Sequence, residues 1–190
     1  MNSYQFKKAI ETKRFIEFSE NKAAYKMIIL GLDPGTATTG YAIIEQNDGH
    51  LTAHDYGVTR TSPDQPTPLR LKIIYDKIVQ LIDRYHPDVL VTERILFSKN
   101  ERTAFQVGRA IGAALLAAAQ RNLEWHEFTP AEVKLAVVGF GNAEKHQVQA
   151  MVQRILNLES VPEPDDAADA LAVSICYAHS NKLRALGVGR

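Results

Sequence analysis

The 190-residue chain holds a single cysteine, Cys176, so no disulfide can form within it and the fold must rest on a core. No apolar run approaches the ~20 residues needed to span a bilayer, and the N-terminal stretch lacks the continuous apolar segment of a signal peptide. The chain therefore reads as cytoplasmic. Net charge is missing as well: 22 Lys and Arg stand against 22 Asp and Glu, which leaves no global field to point at a nucleic acid or a membrane. Any such recognition has to come from charge arranged locally. Internal repeats and low-complexity tracts are absent too. What is present, 45% hydrophobic and 23% charged residues, suits one domain with a full core, since roughly 70% of the unfolded surface is buried at this length.

The first 26 residues differ from the rest, carrying six basic residues and three acidic ones before the strand-like run Met27-Ile28-Ile29-Leu30-Gly31-Leu32. Residues 1–26 are expected to be an accessory or non-native extension, 27–180 the functional domain and 181–190 a tail. Without the extension 16 basic residues face 19 acidic ones, so the expected domain is net negative by three. Strands are expected at about 27–33, 40–46 and 51–60, the last two joined by a hairpin turn at Asn47-Asp48-Gly49. Pro63, Pro66 and Pro68 lead into a stripe of Leu69, Ile73, Ile74, Ile78, Leu81 and Ile82 at helical spacing. Val89-Leu90-Val91-Thr92 reads as a buried strand, 103–121 as an Ala-rich helix and 125–128 as a short strand. Thr129-Pro130-Ala131-Glu132 is a capping box, and further helices are expected near 142–157 and 166–180. Three antiparallel strands followed by alternating helix and strand predict an α/β fold with a mixed sheet flanked by helices.

Carboxylates stand where such a sheet binds ligands. Asp33 closes the first apolar strand and is followed by a Pro34-Gly35 turn; Glu93 closes another apolar strand. Asp166 and Asp169, three apart, share a face of a helix thinned by Ala167, Ala168, Ala170 and Ala172, with Asp165 placed to cap it. Singly, these residues also read as a turn aspartate, a strand-end surface charge and helix-capping acids. Jointly, four convergent carboxylates repel one another and call for a cation. Hard oxygen donors without a His or Cys cluster select Mg²⁺ or Mn²⁺, and two such ions about 4 Å apart support in-line phosphodiester hydrolysis.

These blocks resemble a known family. Asp33-Pro34-Gly35 with Gly40-Tyr41, Glu93, the run Val137-Val138-Gly139-Phe140-Gly141-Asn142-Ala143-Glu144-Lys145, and Asp166-Ala167-Ala168-Asp169-Ala170-Leu171-Ala172 closely resemble RuvC, the Holliday junction resolvases of bacteria, in order and at family spacing over 27 to about 180. The resemblance implies an RNase H-like fold, a homodimer, a four-way DNA junction as substrate in recombination and repair, branch-migration partners RuvA and RuvB, and two Mg²⁺ or Mn²⁺ ions. It implies Asp33, Glu93, Asp166 and Asp169 as metal ligands, and Lys134 and Lys145 as basic residues near the scissile DNA, with Lys145 counted among the catalytic set. The family commonly has Gln after the glutamate and an aromatic two residues beyond; here Arg94 and Leu96 stand there, with Phe97 displaced by one as the candidate junction wedge.

Between Arg94 and Arg154 eight basic residues face five acidic ones, a local surplus where the family binds DNA. Arg94, Lys99, Asn100 and Arg102 follow Glu93 directly and are expected to meet phosphates, each adding to a salt-dependent affinity. A lysine at a helix start, as at Lys145, opposes the helix dipole, which suits an anion-facing task. Gly108, Ala110, Gly112, Ala113, Ala114, Ala117 and Ala118 thin the 103–121 helix, either for packing on its own sheet or, with the 69–85 helix, for a two-fold dimer. A phosphotransferase of the actin and sugar-kinase class would need a second such domain, for which the chain has no room. A decayed, non-catalytic junction binder would be expected to have lost an acid. The related RNase H-like ribonucleases and the RuvX group are set apart by the Asp-Ala-Ala-Asp block and the two lysines.

Overall fold

Alternation of inward and outward residues along the strands builds a sheet with a core on each face. The computed structural model describes residues 26–94 and 101–185, with side chains for 26–94 and 104–181. The strands are β1 (Lys26–Asp33), β2 (Thr38–Asn47), β3 (His50–Arg60), β4 (Val89–Glu93) and β5 (Glu124–Phe128), in the sheet order β3-β2-β1-β4-β5. β1, β2 and β3 run antiparallel, while β4 and β5 run parallel to β1. Five helices complete the described chain: α1 (Thr67–Tyr85), α2 (Glu101–Ala119), α3 (Pro130–Val138), α4 (Lys145–Ile155) and α5 (Asp165–Ala185).

The expected mixed sheet is present, and the local signals explain its joints. Asp48 and Gly49 both take positive φ, 49° and 85°, so the hairpin closes with Asn47 paired to His50. The Thr129 hydroxyl accepts from the Glu132 amide while the Glu132 carboxylate accepts from Thr129, the expected capping box. The helix expected from 142 begins only at Lys145, because Gly139 at φ 94° ends α3 and a turn follows. A second box, Glu144 with Gln147, then starts α4. β1 begins at Lys26, whose ammonium lies 3.1 Å from Glu45, and α5 continues to Ala185, so sheet and last helix overrun the expected 27 and 180.

One core lies between the sheet and α1 and α2, where Leu30, Leu32, Ile43 and Leu90 meet Ile74, Ile78, Leu81, Ala110, Ala114, Ala117 and Ala118. Four of the small residues of α2, Ala110, Ala114, Ala117 and Ala118, therefore go into the chain's own core, while Gly112 stays exposed. The opposite core holds Ile29, Ala42, Ile44, Val89, Val91 and Phe128 against α3, α4 and α5. Between the sheet and α3 and α4, α5 is buried on all sides from Ala170 to Ala178, and Leu171 or Ile175 alone contributes about 1.5–3 kcal/mol by leaving water. No helix among the described residues is long and apolar enough to cross a membrane.

Candidate active site

Strand parity decides where the first two carboxylates point. Ile29 in β1 and Val89 and Val91 in β4 face the α5 core, while Leu30, Leu32 and Leu90 face the other. With a period of two, Asp33 and Glu93 belong to the α5 face at the carboxyl ends of neighbouring parallel strands, just beyond the Leu32 and Thr92 pair. The acids of α5 come to the same edge through a glycine. Gly40 pairs with Asp33 across β1 and β2, and a Cβ on Gly40 would run into the backbone carbonyl of Asp166. Gly31 does the same further along, beneath Ala170 and Ser174. Only with hydrogen at both positions does the start of α5 lie flat on the sheet.

The carboxylates sense one another. Asp33 is pushed up to about 7, first by burial and then by the charges of Asp169, Asp166 and Glu93, with Lys145 opposing. Glu93 is raised by burial and by Asp169, against the pull of Lys134 and Lys145. Burial also raises Asp169, although Lys145 donates to it at 3.1 Å. No three His, Cys, Asp or Glu side chains among the described residues are already gathered around a common point as a metal cage. Asp33, Glu93 and Asp169 are oxygen donors at one sheet edge, each raised towards protonation by burial and a neighbouring carboxylate. That donor set fits hard divalent cations, which would replace the protons.

A stability test follows from the sign of these shifts. In chelator, native Asp33 keeps its proton up to about pH 7 while the unfolded chain gives it up near 3.8, so the native state binds more protons in between. Stability then falls as pH rises from about 4.5 to 7.5, by on the order of 4 kcal/mol if Asp33 acted alone. Oppositely shifted carboxylates such as Glu132, lowered by its hydrogen bonds with Thr129, are ionised in both states by about pH 5.5 and so do not enter a comparison of pH 5.5 with 7.5. The urea midpoint in EDTA should be lower at pH 7.5 than at 5.5 and should recover with Mg²⁺; a flat profile would contradict the coupling.

The basic residues divide. Lys145, at the first position of α4, lies 3.1 Å from both Asp165 and Asp169. Lys134 on α3 is near enough to Glu93 to favour its ionised form. Arg94 donates from Nε to Glu127 at 2.8 Å and from its backbone N–H to the Phe128 carbonyl, and its side chain is half exposed. Phe97, Lys99 and Asn100 lie outside the described residues, as does the side chain of Arg102. Asp165 does not cap α5; the Pro164 carbonyl accepts the Ala167 amide, and Asp165 turns to α4 instead. Sequence reasoning missed Arg70, which donates to the Thr61 hydroxyl at 2.7 Å and the Thr36 carbonyl at 2.9 Å and so braces the turn after Asp33. Nothing in the local pattern of α1 marks that arginine.

The comparisons agree with this geometry. The profile of the family described as crossover junction endodeoxyribonuclease RuvC matches residues 29–177. A protein of that name from Desulforamulus reducens is 51% identical over 152 residues, covering 80% of this chain and 93% of its own. One from Alkaliphilus metalliredigens is 49% identical over 160 residues, covering 84% and 98%. Among solved structures, T. thermophilus RuvC in complex with Holliday junction substrate superposes with a TM-score of 0.80 at 30% identity, over 85% of this chain and 97% of that one. The yeast mitochondrial resolvase Ydc2, at 17% identity and a TM-score of 0.59, shares the fold, the RNase H-like arrangement expected from the sequence. Matched over most of its length by the profile, by relatives about half identical and by a junction-bound relative of the same shape, the chain belongs to the RuvC family of crossover junction endodeoxyribonucleases.

Proposed function

We propose that the chain resolves four-way DNA junctions by paired symmetric nicks in opposed strands, in bacterial recombination and repair. One observation carries the reading beyond family membership: Asp33, Glu93 and Asp169, from two strands and a helix, are each raised by burial together with a neighbouring carboxylate at one sheet edge. Asp33, Glu93, Asp166 and Asp169 would hold two Mg²⁺ or Mn²⁺ ions. Bound there, the ions would activate a water and stabilise the leaving oxygen. The chain's own part is to orient. Buried strand ends fix Asp33 and Glu93, the Arg70 brace fixes the turn behind Asp33, and Lys134 and Lys145 offer cations to the phosphate being cut. Cleavage of a labelled mobile junction and a linear duplex of the same sequence, in Mg²⁺, Mn²⁺ or EDTA, tests the reading. Paired nicks on the junction only, with either metal, are expected; equal cutting of the duplex would overturn it.

Two nicks in opposed strands ask for two sites, which favours a homodimer. Since Ala110, Ala114, Ala117 and Ala118 are spent in the core, the face left for a second copy is the outer one. There Phe105 (71% exposed) and Leu116 (54%) lie three helical turns apart, with Gly112 between them open to solvent on its Cβ side and Leu69 (51%) on α1. Light scattering at micromolar concentration should give the mass of a dimer, and a monomer there counts against this face. RuvA and RuvB, which the resemblance implies, and a cytoplasmic location complete the reading; pull-down of RuvA or RuvB with the junction checks the first.

A further inference from the structure

The acid that sequence reasoning assigned to capping α5 has a different occupation. The Oδ2 of Asp165 lies 3.1 Å from the Lys145 ammonium, and its Oδ1 accepts from Gln149 Nε2 at 2.8 Å. Lys145 and Gln149 are one turn apart on α4, so both oxygens of Asp165 are gripped from a single helix face. With both committed, Asp165 is not a ligand in waiting, in contrast to Asp169 four residues on. We propose that Asp165 is a positioning residue for Lys145, keeping its ammonium at the cleavage site once Asp169 is engaged by metal. The proposal rests on the reading of Lys145 as a contact to the scissile phosphate.

The physical case concerns what Lys145 loses when the site fills. In the metal-free arrangement its ammonium is shared between Asp165 and Asp169, each at 3.1 Å. A cation bound by Asp169 competes for that oxygen and repels the ammonium. A lysine at a helix N-terminus is also disfavoured by the dipole, and its flexible stem gains rotamer entropy by escape to solvent. Asp165, held by Gln149 as well, opposes these effects. Gln149 adds direction, because a carboxylate held at one oxygen presents the other at a fixed place. Lysine has three donors: one stays on Asp165, and the donor released by Asp169 is free for a phosphate oxygen.

The test is a double-mutant cycle read in single-turnover cleavage of a four-way junction at saturating enzyme. Asp165→Asn keeps the size and the acceptor for Gln149 but removes the charge. It should lower the cleavage rate about fivefold, the scale of one exposed ion pair, while changing junction affinity less than about twofold. In a Lys145→Ala background the same change should cost nothing further. Asp165→Glu, which restores charge, should recover most of the rate. A wild-type rate for Asp165→Asn, or an equal loss in the Lys145→Ala background, overturns the positioning role while leaving Lys145 in its own. A wild-type rate for Lys145→Ala overturns both. Thermal melting of each variant separates these outcomes from loss of fold.

Discussion

Asp33→Asn should abolish cleavage in Mg²⁺ and in Mn²⁺, by at least about a thousandfold, and leave junction binding in place. The side chain keeps its volume, so the strand end, the turn braced by Arg70 and the close approach of α5 are undisturbed. What is lost is one negative charge at the sheet edge where the charges of Asp169, Asp166 and Glu93 all bear on it. Asp33 is the most strongly shifted of them, and its burial means that water cannot replace the missing ligand charge. Binding survives because affinity for a junction comes mostly from phosphate contacts made by basic residues elsewhere. The variant should also show a smaller fall in stability between pH 4.5 and 7.5, since an amide does not titrate and only the raised Glu93 and Asp169 remain. Gel shift in EDTA, single-turnover cleavage and urea melts at two pH values check the three parts; a variant that nicks at the normal rate would remove Asp33 from the site.

Gly40→Ala should damage fold and activity together. The new methyl group would overlap the Asp166 carbonyl oxygen, which is backbone and has no rotamer to yield. Either β2 or the start of α5 must move. Overpacking of this kind costs about 3 kcal/mol, or a melting temperature lower by about 10 °C in a domain of this size. Because Gly40 is the cross-strand partner of Asp33, the displacement falls between Asp33 and the Asp166 and Asp169 pair. Cleavage at a temperature where the variant is folded should therefore drop at least about tenfold, as expected when catalytic groups shift by a fraction of an ångström. Gly112→Ala is the contrast within one chain: no described residue of its own chain lies within 4 Å of the added Cβ, so helix propensity alone gives the separated monomer a slight gain of about 0.5–1 kcal/mol. A Gly40→Ala protein as stable and active as the wild type would mean that α5 does not depend on this contact.

Much of this could be read from the chain because the signals were local. An apolar strand ending in Asp or Glu, a turn of Asp and Gly at positive φ, and Thr-Pro-Ala-Glu before a helix each work through neighbours within a few residues. Even the shared face of Asp33 and Glu93 follows from parity once the two strands are known to be parallel neighbours. The failures were of the opposite kind. Asp165 has the composition of a cap, yet its partners are on α4, 16 and 20 residues upstream. Arg94 follows Glu93 in the chain, and that β5 brings Glu127 beside it is visible only in the sheet. The small residues of α2 fit two partners equally well in sequence, and only burial chooses between them.

By itself, then, the sequence determined which acids are the candidates, the strands that carry two of them and the zero net charge that sums a basic first 26 residues and an acidic remainder. It could do so because strand, turn and cap preferences are set by short-range sterics and hydrogen bonding. Tertiary structure alone decided how the acids meet. Burial at the sheet edge and the glycine-lined seat of α5 turn four separate carboxylates into one repelling cluster, and the packing of α4 against α5 supplies the lysine that stands among them. Those distances depend on elements far apart in the chain, and no local preference encodes them.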